Sequence, residues 1–242
     1  MESGIEVRGL TKRFGSRIAV DDLSLSIPQG DFFGLLGVNG AGKTTTIRMM
    51  TGLLRPDSGE ITILGRDALH QREEVRPLIN SSMQETAVAP NLTAEENLAL
   101  IAGIYSLPDA HSAIERRIAQ FGLEEYRSTL ARNLSGGWQR RLSIAMALIT
   151  EPAILFLDEP TLGLDVLARR SLHRILLGLR GQTTLVLTTH DLDEAAALCN
   201  TIGVMIRGRL CACGTPAELT AMMHADTFED AFAALAEKEG EA

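Results

Sequence analysis

The run Gly37-Val38-Asn39-Gly40-Ala41-Gly42-Lys43-Thr44 has the residue types and spacing to grip a chain of phosphates. Glycines at 37, 40 and 42 let the backbone curl so that successive N–H groups, those of Asn39, Ala41 and Thr45 included, face anionic oxygens. Lys43 then reaches the β- and γ-phosphates, and the Thr44 hydroxyl is placed to ligate Mg²⁺. A glycine-rich turn that merely ends in Lys-Thr is the plain alternative. It is disfavoured because the run follows the apolar strand Phe32–Leu36 and precedes a helical stretch, as the chemistry requires. Lys43 is also one of only three lysines among 23 basic residues. A point charge is wanted here, and arginine's planar fork does not replace it.

Two adjacent carboxylates, Asp158 and Glu159, end the apolar run Ile154–Leu157. Strands of open α/β sheets bind ligands at their C-terminal edge, so Asp158 is expected to hold Mg²⁺ and Glu159 to polarise an attacking water as general base. An Asp-Glu pair at a strand end is common by chance; the phosphate loop upstream makes it informative. Leu134-Ser135-Gly136-Gly137 opens a second helix, Trp138 to Ile149. A serine and two glycines there make a second anion-binding helix start, which the phosphate loop of the same chain does not need.

The elements that position these groups are legible in outline. Strands are expected at Ile5–Leu10, Leu23–Ile27, Phe32–Leu36, Ile61–Leu64, Ile154–Leu157, Thr184–Thr188 and Ile202–Ile206. Helices are expected at Thr45–Leu53, Ala168–Leu179 and Leu192–Leu198, and the stretch from Thr93 to Ile149 is helical in period with almost no strand signal. Thr227 and Asp230 form a candidate capping box for a terminal helix carrying Phe228, Phe232 and Leu235. The pattern is an α/β core interrupted by a helical insert.

With 31 acidic and 23 basic residues the 242-residue chain carries a net charge of −8, which disfavours a nucleic-acid partner. Its apolar runs are far shorter than the ~20 residues a membrane span needs, and no basic-then-apolar leader opens it. Cys199, Cys211 and Cys213 lack metal-ligand spacing and suggest thiols in a reducing cytoplasm.

Taken together with His190, which follows the run Thr184–Thr188, these three segments resemble the ATP-binding subunits of ABC transporters, over nearly the whole chain. The resemblance implies a phosphate-loop NTPase fold of the ABC type, with an antiparallel β-portion and an inserted α-helical subdomain over 84–149. The chain would be one nucleotide-binding domain over 1–242, with a short helical tail at 221–242. It also implies that Ser135, Gly136 and Gly137 contact the γ-phosphate of ATP held by an opposing subunit. Gln84 matches the glutamine that senses Mg²⁺ and the membrane partner, Asp165 lies in the loop after the catalytic Glu, and His190 matches the switch histidine. Phe14 matches the aromatic that stacks on adenine, though plain core packing is its ordinary role. The implied working unit is an ATP-dependent homodimer on the cytoplasmic face of the cell membrane, bound to an integral permease. The Gly214–Leu219 run and the tail resemble the drug-resistance and nodulation-factor export group, which tilts the expectation toward export. A DNA-repair or translation-factor ATPase would need a coiled-coil insertion or a second such domain. A module that senses ATP without splitting it would not need Glu159 and His190. The sequence departs from the family at Trp138, where glutamine is usual, and an indole can donate but not accept a hydrogen bond.

Overall fold

The computed structural model describes residues 3–240. Two long strands open the chain, β1 (Ser3–Phe14) and β2 (Arg17–Pro28), followed by the short β3 (Phe32–Leu36) and helix α1 (Lys43–Met50). Strands β4 (Ser58–Ile63) and β5 (Arg66–Asp67), helix α2 (Arg72–Val75) and strand β6 (Ile79–Ser82) follow. Helices α3 (Ala94–Ile104), α4 (Ala110–Phe121) and α5 (Gly136–Leu148) then fill the stretch before β7 (Ile154–Asp158). The remainder alternates: α6 (Val166–Leu177), β8 (Thr184–Thr189), α7 (Leu192–Leu198), β9 (Thr201–Ile206), β10 (Arg209–Gly214), α8 (Pro216–Met222) and α9 (Phe228–Gly240).

The strands form two sheets. One is four-stranded, in the order β2-β1-β4-β5, and antiparallel throughout. The other is six-stranded, in the order β10-β9-β3-β8-β7-β6; its pairs are parallel except for the β9–β10 hairpin. β3, β7 and β8 are buried along their whole length, which is why they read as unbroken apolar runs rather than alternating ones. Period-two geometry splits each of them between two cores. Phe32, Leu36, Leu155, Leu157, Leu185 and Leu187 face the core shared with α3–α7. Phe33, Leu35, Ile154, Phe156 and Val186 face the core shared with α1 and the antiparallel sheet. A one-residue slip of β7 would exchange the two sets, and each such side chain contributes about 1.5 to 3 kcal/mol by burial, so the register is strongly fixed.

The expected strands and helices all form, Phe32–Leu36 and Leu192–Leu198 with the expected ends and the others with shifted ones. α1 starts two residues early, at Lys43, and stops at Met50 because Gly52 takes a left-handed φ of 74°. α6 begins at Val166, two residues before expectation, because Asp165 caps its free N–H groups. β5, β6 and β10 lie outside the expected strands. Ile79-Asn80-Ser81-Ser82 has little strand propensity and is made a strand by parallel pairing with β7. The run Gly214–Leu219, read as an export cue, has a local job: Thr215 and Glu218 form a capping box with Pro216 in the first turn of α8. Thr227 caps α9 by accepting from Asp230 N–H at 3.1 Å; the reverse bond runs from its hydroxyl to the Asp230 carboxylate. The last two residues of the expected tail, 241 and 242, lie outside the described residues.

Candidate active site

β3, β8 and β7 are neighbours and run parallel, so the loop after β3, His190 after β8 and Asp158-Glu159 at the end of β7 meet at one edge of the sheet. A cavity of about 560 Å³ lies there, and its wall includes Phe14, residues 39–45, Gln84, Glu159 and His190. Gly37 and Asp158 do not line it; Asp158 is buried, 1% exposed, and bonded to the lining residue Thr44.

Two loop glycines are required by space, and the second of them by φ as well. A Cβ on Gly37 would lie 2.3 Å from the Met205 carbonyl oxygen. One on Gly42, at φ 106°, would lie 2.3 Å from that of Ala19. Gly42 leads directly into α1, whose N-terminal N–H groups carry no side-chain cap. They therefore remain available to an anion.

Charge is concentrated on one carboxylate. The Lys43 ammonium donates to Gly37 O at 2.6 Å and Val38 O at 3.3 Å and lies 3.4 Å from Glu159 Oε1. The other oxygen of Glu159 lies 2.8 Å from His190 Nδ1, a contact in which a proton on Nδ1 is donated to the carboxylate. Glu159 itself has a left-handed φ of 48°, a conformation that costs a non-glycine residue about 1 to 2 kcal/mol.

Asp158 is organised differently. Its Oδ1 accepts from the Thr44 hydroxyl at 3.0 Å and from the Thr188 hydroxyl. Thr188 in turn accepts from Glu159 N–H at 3.1 Å, tying the two acidic residues together. The remaining oxygen, Asp158 Oδ2, is buried with no hydrogen-bond partner. A hydroxyl beside an unpartnered buried carboxylate oxygen is a donor set suited to a hard divalent cation.

Phe14 is 52% exposed and lines the cavity, with Lys12 Nζ 5.8 Å from its ring centroid, so it is no core residue. Ser135, Gly136, Gly137 and Asp165 do not line this cavity. Ser135 and Gly136 are exposed at the start of α5, and the Ser135 side chain makes no capping bond. Asp165 is engaged as the cap of α6, accepting from Leu167 and Ala168 N–H. Arg17, Ala19 and Leu162, which belong to none of the sequence motifs, also line the cavity. Arg17 donates to Gly40 O at 3.2 Å. No motif marks it, since it sits in the turn-and-strand segment after Phe14.

Trp138 packs sideways rather than toward the cavity. Its ring centroid lies 4.2 Å from that of Tyr126, and the Arg141 guanidinium sits 4.2 Å from the indole. The stack explains why a large aromatic is accommodated at this position. Trp138→Gln is expected to change ATP turnover by less than about tenfold, because the backbone groups at the start of α5 are retained. Steady-state phosphate release from the folded variant checks this, and complete loss of activity would contradict it.

A phosphate loop after β3, paired acids at the end of β7 and a histidine after β8 define an ATP-binding domain of the ABC type. A family model described as "ABC transporter" matches residues 20–162, and the chain belongs to that family. It is 42% identical over 240 residues to an Escherichia coli protein named probable multidrug ABC transporter ATP-binding protein YbhF, covering 96% of this chain and 41% of that one. It is 40% identical over 220 residues to the Nod factor export ATP-binding protein I of Ralstonia nicotianae, covering 89% and 68%. A solved structure of an ATP-binding subunit of an ABC transporter superposes with a TM-score of 0.84 at 28% identity, covering 96% of this chain and 98% of that one. The chain thus spans about two fifths of the length of the Escherichia coli relative. Among the described residues no helix is long and apolar enough to cross a membrane.

Proposed function

We propose that this chain binds and hydrolyses ATP with Mg²⁺ and passes the resulting conformational change to a separate integral membrane permease. The observation that carries the reading is Glu159, held between Lys43 and His190 at the wall of the phosphate-loop cavity. In that position it serves as general base toward water, Lys43 stabilises charge on the phosphates, and His190 orients the carboxylate. Thr44 and Asp158 would hold Mg²⁺, with Gln84 beside them, and the cation would supply charge neutralisation on the phosphate oxygens. Phe14 would stack on adenine, and residues 37–45 would cradle the phosphates.

Ser135, Gly136 and Gly137 are exposed or half-exposed and stand outside the cavity, which supports their use on the ATP of a second copy. Two chains head to tail about a twofold axis would then complete each other's sites, with Asp165 and its loop near the seam. Residues 1–242 are read as one nucleotide-binding domain, with 84–149 as the inserted helical part and 221–242 as a tail. The names of the relatives support export of a small molecule or lipid-like cargo, with the chain held at the cytoplasmic face of the membrane by its permease. A net charge of −8 argues against a nucleic-acid partner.

The test is phosphate release by the purified chain with ATP, with and without Mg²⁺. Saturable release that EDTA abolishes is expected; ATP binding without release would favour a sensing module instead. Recovery of the tagged chain from detergent-solubilised membranes with a polytopic partner tests the permease assignment.

A further inference from the structure

Arg140 lies on the inward side of α5, four residues after the start of the helix, and is 4% exposed. Its guanidinium reaches two separate segments, 158–160 and 83–84. Nε donates to Pro160 O at 2.9 Å and one terminal nitrogen to Asp158 O at 2.8 Å. The other terminal nitrogen donates to Met83 O and, at 3.4 Å, to Gln84 O. The carbonyls of 158 and 160 flank Glu159, whose left-handed φ of 48° needs outside support. On the other side, Thr161 donates to the buried Glu194 carboxylate at 2.7 Å, and Thr188 O accepts from Glu159 N–H. Residues 158–161 are thus held from α5, α7 and β8 together, the α7 contact being to the Thr161 side chain.

We propose that Arg140 is a positioning residue for hydrolysis: by clamping the carbonyls on both sides of Glu159 it holds the carboxylate against Lys43 and His190. The same guanidinium fixes the 83–84 backbone, so the segment bearing Gln84 and the segment bearing Glu159 move as one piece with the helix that Ser135 begins. The inference rests on the proposed role of Glu159. Only arginine fits this position, because its planar fork presents donors in several directions at once. A lysine offers one nitrogen and cannot bridge residues 83–84 and both sides of Glu159. Arg141, the next residue, faces away and stacks on Trp138, so the two arginines of this helix are not equivalent.

The experiment compares Arg140→Lys and Arg140→Met in the parental chain and in a Glu159→Gln chain, measuring kcat, KM and ATP affinity. In the parental background Arg140→Met is expected to lower kcat by about 10- to 100-fold with ATP affinity changed less than about threefold, and Arg140→Lys to fall between. In the Glu159→Gln background the same substitutions are expected to lower single-turnover hydrolysis by less than about threefold, because a clamp has nothing left to position. A merely structural role would lower both backgrounds equally, and that result overturns the proposal. If Arg140→Met fails to fold, Arg140→Lys carries the same comparison. Hydrolysis by the parental chain with parental kcat in Arg140→Lys and in folded Arg140→Met removes Arg140 alone. A parental chain that binds ATP and releases no phosphate removes both Arg140 and the general base.

Discussion

Lys43→Ala is expected to reduce ATP hydrolysis by a factor of about 10² to 10³ or more while the protein stays folded, the range found when one preorganised charge-stabilising group is removed. The ammonium is 6% exposed and aimed along the loop, where it donates to two carbonyls and faces Glu159. Arg17 also lines the cavity but is tied to Gly40 O rather than to the Gly37 and Val38 carbonyls and Glu159. Alanine is the best helix former, so the first turn of α1 is preserved. Removal of Lys43 also leaves Glu159 with His190 as its remaining side-chain partner, which degrades the placement of the base. Phosphate release per mole of enzyme, with circular dichroism as the control for folding, checks the result. Hydrolysis at the parental rate would mean that the loop does not hold the reacting phosphates.

Glu159→Gln is the second large effect. The amide keeps the volume of the side chain, and its carbonyl oxygen still accepts from His190 Nδ1, so ATP binding should be retained. It cannot take a proton from water. Loss of a general base costs about 10² to 10⁴ in rate, and single-turnover hydrolysis should fall by that factor. Substitution also removes the charge facing Lys43 at 3.4 Å, which frees the ammonium for phosphate. ATP affinity in Glu159→Gln is therefore expected to equal or exceed that of the parent, measured by binding of ATP to the purified variant.

The site could be read from the sequence where its chemistry depends on neighbours in the chain. Gly37 to Thr44 form one continuous cradle, and Asp158-Glu159 follow an unmistakable buried strand. The parts that come from tertiary placement were not legible. Arg17 and Leu162 reach the cavity only because β1–β2 and the loop after β7 fold over it. Arg140 and Arg141 are adjacent and chemically identical in the sequence; only the helix rotation decides that one is buried against Glu159's backbone and the other lies on Trp138. β6 is polar and gains its strand conformation from β7. Trp138, a departure from its family, becomes intelligible once Tyr126 is seen against it, and the two are brought together by the turn between α4 and α5.

The shared-site account makes its sharpest demand on assembly. On that account Ser135, which is exposed and outside the cavity, serves the ATP of a second copy, and ATP should then hold two chains together until hydrolysis releases them. Light scattering of Glu159→Gln at micromolar concentration is the direct measurement. A dimer with ATP and Mg²⁺ that reverts to monomer with ADP is the predicted result; a protein that stays monomeric with ATP, even when its membrane partner is supplied, would contradict it.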